Sequence, residues 1–361
     1  MGKENFENQS NHPIAAFFLR LLLWLVTTVV ILFLGIYLTV TIVCKGPSPY
    51  VRDLFVASCY ESSIGYVLPK MVLSENAINN ILNKNKVIES DEITDTTLIN
   101  IMSDNKSDEE IIVEKESNAT TTKDPDGDGI EVYDVHGSTY HGKMMIVFDP
   151  SRVKLGVIDN FDLDMGGKTI MEISEKYDAV AAINGGKYED QMGLGIGGMP
   201  EGIVISNGQL LMGDPDTVYG VYGFTNNNVL VVGNMTASQA VMMGVRDAVT
   251  FGPALITNGK AAKFSGYGSG LNPRTAIGQR SDGAVLLLVI EGRQANSVGA
   301  SYSDIVSIMS EYGAVNAANL DGGMSSSMVY NGEEIVTNCQ VRTPRRIPTA
   351  FYVERRYKAN E

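Results

Sequence analysis

The sequence predicts an α+β protein: mixed twisted β-sheets with flanking helices, preceded by an N-terminal transmembrane helix. Three observations predict it. After Ile130, short apolar runs recur between Gly, Asn and Pro punctuation, with few amphipathic helical stretches among them. One run, Ala284 to Ile290, is apolar throughout, the pattern of a strand buried on both faces. Finally, Leu21 to Cys44 is a run of 24 residues without a charge.

That run, as a helix, would be ~36 Å long at about 1.5 Å per residue, enough to cross a hydrocarbon core of about 30 Å. It exceeds a signal-peptide apolar core, and no A-x-A-like site follows, so it reads as an uncleaved anchor after a short tail, 1–20. Lys3 and Arg20 before it balance Lys45 and Arg52 after it, so charge does not set the orientation. The N-terminal position of the anchor and the scarcity of cysteine favour placing the long C-terminal part outside the cytoplasm, at the plasma membrane. Residues 45–86 carry apolar positions at helical spacing, with Ser74 as an N-cap, and suggest a helical stalk.

Residues 87–129 read as an acidic, weakly ordered linker. From Glu89 to Glu131 there are fourteen acids against three lysines, so most of the formal charge of −14 belongs here. The net charge argues against nucleic acid as a partner. Asp124-Pro125-Asp126-Gly127-Asp128-Gly129 resembles the opening of a calcium loop. The twelfth position from Asp124 is Val135 rather than the bidentate Glu of an EF-hand, so a solvated turn is the expectation and no cofactor is required.

The main domain is expected over 130–355. His141 to Pro150 reads as a strand closed by Asp-Pro, followed by Val153 to Ile158, a helix at Thr169 to Lys176 and a buried strand, Ala179 to Ile183, ending in Asn184-Gly185-Gly186. The glycine-heavy stretch after it, through Gly202, reads as an active-site loop rather than a phosphate-binding P-loop, because no P-loop lysine pattern follows. Strands continue at Gly202–Ser206, Val218–Phe224, Val229–Val232, Ala248–Phe251 and Ala254–Ile256. Arg274–Gly278 and Ala284–Ile290 form a hairpin around Ser281-Asp282-Gly283. A helix from Tyr302 to Tyr312, started by Ser301 or Ser303, leads into Ala314–Leu320 and Asp321.

Cys44, Cys59 and Cys339 are widely spaced, which excludes a disulfide framework and a zinc-type cluster. Cys59 and Cys339 could pair outside the cytoplasm, with two buried thiols the more economical state. In the main domain only His136 and His141 could serve histidine-based catalysis.

Polar groups gather where these strands end: Asn184, Asn272 with Arg274, Glu291 with Arg293, and Asp321. Two arginines suit a phosphate, and two carboxylates suit acid–base chemistry. Salt bridges within the fold explain the same residues equally well. The motifs AAINGG (181–186), FGPALITNGK (251–260), NPRTAIG (272–278), VIEGR (289–293) and NAANLDGGMSSS (316–327) together resemble the phosphodiester glycosidase family, whose bacterial members are often exopolysaccharide-related.

The resemblance implies hydrolysis of the bond between a sugar anomeric carbon and phosphate in a cell-envelope glycan or exopolysaccharide. Carried over by motif, the catalytic candidates are Asp321, as general base or nucleophile, and Glu291, as general acid. The substrate-binding candidates are Asn184, Gly185, Gly186, Arg274, Thr275, Gly292, Arg293, Gly322, Gly323 and Ser325. Arg274 and Arg293 would clamp phosphate, with the Gly322 and Gly323 amides and the Ser325 hydroxyl donating to it. The sequence departs from the family pattern at Glu291, where Asp is frequent, at Asn272, where His is frequent, and at Lys187, where an aromatic is common. The alternative is a non-catalytic phosphoglycan-binding module. Serine hydrolysis through Ser325–Ser327 lacks a G-x-S-x-G elbow.

Overall fold

The computed structural model describes residues 13–62, 65–88, 90–101, 127–190, 195–266, 268–336 and 344–356. Helix α1 (Pro13–Lys45) contains the uncharged run and is long and apolar enough to cross a membrane. It continues into α2 (Pro49–Tyr60), α3 (Val67–Lys70) and α4 (Glu75–Lys84). Ser48 caps α2 ahead of Pro49, whose missing N–H is harmless in a first turn, and Ser74 caps α4 as expected. Val40 and Cys44 at the end of α1 pack against Val56, Ile78 and Ile81. The described residues of 45–86 therefore form a folded helical cluster joined to α1.

Three antiparallel sheets make the main domain. The largest has seven strands, in the order Lys260–Ala261, Ala254–Thr257, Ala314–Leu320, Arg274–Arg280, Val285–Ile290, His141–Val147 and Ile130–His136. A second runs Glu333–Glu334, Met328–Tyr330, Ala179–Asn184, Thr349–Glu354, Val153–Val157. The third runs Gln209–Met212, Val204–Ser206, Val245–Val249, Val218–Thr225, Leu230–Thr236. The sequence expects mixed sheets; every ladder among the described residues is antiparallel.

Each sheet turns one face to a common core. Ile277, Leu287 and Leu320 meet Ile183 and Phe351 of the second sheet and Phe224 and Val249 of the third. The opposite faces are covered by one helix each. α5 (Ile170–Lys176) lies on the second sheet, α6 (Ala237–Met242) on the third and α7 (Tyr302–Glu311) on the first. All three open with capping boxes, at Thr169, Thr236 and Ser301, so the short helices are fixed at their N-termini. The buried strand 285–290 has no exposed residue, as its composition predicts.

Of the stretch expected as a linker, the described residues 87, 88 and 90–101 lie against the main domain. Val87–Ile88 pairs with Lys263–Phe264, the Thr94 amide donates to Val232 O, and the Asn100 amide donates to Ser281 O. Thr94 and Ile99 are buried. Backbone pairing and a few apolar anchors hold this stretch on the domain despite its charge. Residues 102–126, including Asp124 and Asp126 of the calcium-like motif, lie outside the described residues. Asp128 Oδ1 accepts from the Ile130 amide, a turn role. Cys44 and Cys59 are buried thiols, and Cys339 is outside the described residues.

Candidate active site

Strand register explains why the site forms where it does. In the seven-stranded sheet Arg274 pairs with Ile290 and Thr275 with Leu320, so Arg274, Glu291 and Asp321 emerge at one edge. The second sheet brings Asn184 to the same edge. Asn184 Oδ1 accepts from Thr275 Oγ1 (2.7 Å) and from the Ser327 amide (3.2 Å), while its Nδ2 donates to Asp321 O (2.6 Å). The Asp321 amide donates to Gly185 O. Asn184, Thr275 and Gly185 thus lock the Asp321 backbone between two sheets.

A cavity of about 390 Å³ opens over this edge, within the roughly 300–1,000 Å³ of small-molecule sites. Six of the expected residues line it: Asp321, Arg274, Arg293, Gly322, Gly323 and Ser325. Asn184, Gly185, Gly186, Thr275, Gly292 and Glu291 do not. Instead, a Cβ on Gly185 would stand 2.5 Å from Thr349 Oγ1, and one on Gly186 2.6 Å from Val249 Cβ. These glycines allow the sheets to approach. The Glu291 amide donates to His141 O, and its carbonyl accepts from Ser297 Oγ. Its carboxylate is not part of the cavity wall.

Asp321 sits in a strongly perturbed environment. Burial pushes its carboxyl up to about 7, against hydrogen bonds from Ser325 and the Gly322 amide that pull it down; the charge of Asp190 raises it further. Four carboxylates line the cavity: Glu61, Asp190, Glu201 and Asp321. Glu61 pairs with Arg274, Asp190 with Arg345 and Glu201 with Lys187. Asp321 alone makes no ion pair among the described residues.

The glycine amides expected to bind phosphate already have partners. That of Gly322 donates to Asp321 Oδ1 and that of Gly323 to Pro273 O. Gly323 is required for another reason: its φ is +63°, and a Cβ would touch the Arg293 guanidinium at 3.4 Å. Arg274 is nearly buried. It donates from Nε to Ala300 O and from Nη2 to Gly270 O and Glu61, and its guanidinium stacks 4.1 Å above the Tyr302 ring. Arg293 Nη2 donates to Asn272 Oδ1.

Sequence reasoning missed the opposite wall. Arg345 Nε donates to the Tyr188 hydroxyl, which shares a 2.9 Å hydrogen bond with Ser325 Oγ; Arg345 also pairs with Asp190. Burial pushes the Tyr188 phenol up, so it stays protonated. Adjacency to Asn184-Gly185-Gly186 is the only signal that could have flagged Tyr188 and Asp190. Among the described residues no histidine lines the cavity; His136 and His141 lie together across a hairpin whose His141 carbonyl accepts from the Glu291 amide.

Residues 177–354 match the sequence model of the family described as phosphodiester glycosidase. The chain is 30% identical over 181 residues to the SPbeta prophage-derived uncharacterized protein YomE of Bacillus subtilis (strain 168), covering 46% of this chain and 27% of that one. It is 25% identical over 209 residues to the N-acetylglucosamine-1-phosphodiester alpha-N-acetylglucosaminidase of Bos taurus, covering 51% and 38%. The chain therefore spans well under half the length of these curated relatives. In fold it is similar to the zebrafish N-acetylglucosamine-1-phosphodiester alpha-N-acetylglucosaminidase catalytic domain auto-inhibited by pro-peptide, with a TM-score of 0.51, 20% identity, and coverage of 63% of this chain and 82% of that one. The motif series, the sheet edge that carries Asp321 and these likenesses converge: the chain carries a phosphodiester glycosidase family domain over residues 177–354.

Proposed function

We propose that the protein is a membrane-anchored hydrolase that cleaves the sugar–phosphate bond of a sugar 1-phosphodiester, acting outside the cytoplasm on a cell-envelope glycan or exopolysaccharide. The observation that carries this reading is Asp321: a half-buried carboxylate at the cavity wall without an ion pair among the described residues, raised to about 7, beside Arg274, Arg293 and Arg345. Such a group is partly ionised near neutral pH and suits a base or nucleophile at an anomeric carbon. In the reaction, water adds to the anomeric carbon as ionised Asp321 takes one of its protons, the bond from that carbon to the phosphate oxygen breaks, and the phosphate monoester leaves with the electron pair. The arginines offset the charge that develops on it. A phosphate leaving group needs little protonation, which fits a wall without a second unpaired acid.

The full chain in detergent, offered a panel of sugar 1-phosphodiesters beginning with α-linked N-acetylglucosamine, should release free sugar and phosphate monoester. Asp321→Asn should not. Silence across the panel, or turnover unchanged in that variant, overturns the proposal. One observation favours the runner-up, a phosphoglycan-binding module: Glu291, the expected acid, is not in the cavity wall. That reading requires binding without turnover, lost in Arg274→Ala.

A further inference from the structure

We propose that the membrane-proximal helix α2 completes the pocket, with Glu61 at its C-terminal end acting as the positioning residue for both cavity arginines on the Asn272 side. Residue 61 lies far outside the family-matched 177–354, in a segment whose sequence reads as a stalk. The inference rests on the phosphodiester reading for what those arginines bind.

Glu61 accepts three hydrogen bonds from the domain. Its Oε2 accepts from Arg274 Nη2 and from Asn272 Nδ2 (2.9 Å), and its Oε1 accepts from the Gly270 amide (2.9 Å). Asn272 then passes the constraint on, because its Oδ1 accepts from Arg293 Nη2 (2.9 Å). One carboxylate therefore fixes Arg274 directly and Arg293 through a single amide. Asn272 can do this only with its Nδ2 toward Glu61 and its Oδ1 toward Arg293, and the two charged partners enforce that orientation.

The helix carrying Glu61 is held tightly. Ser58 Oγ accepts from the Leu271 amide at 2.8 Å, and a Cβ on Gly270 would stand 2.1 Å from Ser58 N. Gly270 is thus glycine because the α2 backbone lies against it. The Arg274 side chain is only 5% exposed, so between substrates its charge would be stranded without Glu61. A carboxylate that merely competed with substrate would not need a neutral amide and a backbone amide built around it.

The test uses the full chain in detergent, with two probes: binding of inorganic phosphate and turnover of the methyl diester of N-acetylglucosamine 1-phosphate. Losing a charge-assisted hydrogen bond predicts that Glu61→Gln raises KM for the diester and the Kd for phosphate roughly ten- to hundredfold, with a smaller change in kcat. Glu61→Asp should recover part of the loss. Ser58→Ala, which loosens α2 without touching either arginine, should move KM in the same direction by less. The unfolding midpoint of each variant is measured alongside, and if Glu61→Gln does not fold, Ser58→Ala and Glu61→Asp decide.

Unchanged KM and Kd in these variants overturn the proposal. Tighter phosphate binding or faster turnover in Glu61→Gln also overturns it, and makes Glu61 an inhibitory anion instead. Phosphate binding that Glu61→Gln weakens, in a protein that turns over no diester, upholds the positioning role while the hydrolase reading falls. No phosphate binding by the unaltered chain sinks the inference itself.

Discussion

The two walls of the cavity treat a carboxylate in opposite ways. On the α2 side Glu61 is surrounded by Arg274, Asn272 and the Gly270 amide, and its charge is fully spoken for. On the other side Asp321 receives a hydroxyl and a neighbouring amide, while Arg345, whose charge favours its ionised form, is engaged by Asp190 and Tyr188. The same chemical group is thus a structural counter-ion in one place and a titratable group near pH 7 in the other. Burial without a matched cation separates Asp321 from the other three carboxylates of the cavity.

The largest effect that tests this contrast is Asp321→Asn. Turnover should fall by on the order of 10²–10⁴-fold, the usual contribution of a positioned acid–base group. Its stability signature is as diagnostic. The folded pKa of Asp321, about 7, lies above the unfolded value, so the native state holds the extra proton between roughly pH 4 and pH 7. Wild-type stability therefore falls as pH rises through that window, and the asparagine variant does not share the fall. Thermal melts should find Asp321→Asn more stable than wild type by about 1–3 kcal/mol near pH 8 and equal to it near pH 4. A gap independent of pH would remove Asp321 from the contrast.

Next in size is the inter-sheet clamp. Thr275→Val leaves Asn184 Oδ1 short of a donor in a fully buried position and should cost about 1–3 kcal/mol, read as a lower midpoint in denaturant. If stability is untouched, the network is not what holds the Asp321 backbone. Arg345→Gln removes a cation that favours ionised Asp321, so the pH–rate profile should move to higher pH, with kcat recovering once Asp321 ionises. A profile that moves the other way would contradict the assigned electrostatics. Glu291→Gln should be the smallest, changing kcat/KM by no more than about twofold, as for a surface change of 0.5 kcal/mol or less. A large loss would return Glu291 to the reaction.

Much of this was legible because sheet proteins place polar groups at strand ends. Arg274, Arg293 and Asp321 were found as exceptions to apolar runs, and register brings them to one edge. The family motifs add Asn184, Thr275 and the 185–186 glycines as substrate contacts, and these do not line the cavity. Their polarity and small size serve the junction between sheets, and a strand end looks alike in both roles. Arg345, Tyr188 and Asp190 escaped because the wall joins segments some 155 residues apart through side chains alone. Glu61 and Thr94 escaped for a different reason. Composition reports how well a stretch is solvated on average, and a few well-aimed residues in a polar segment are enough to dock it.

The short path from α1 to Glu61 also sets a height. If α1 spans a bilayer, three residues of extended chain at about 3.3 Å each and a twelve-residue helix at about 1.5 Å per residue separate Lys45 from the cavity wall. The cavity wall at Glu61 then stands within roughly 30 Å of the lipid surface, about one hydrocarbon-core thickness away. Val40 and Cys44 packed into the helical cluster make that distance a rigid one. A site so mounted samples a thin layer in two dimensions. It would meet phosphodiesters tethered near the membrane far more often than those in polymer that has drifted free.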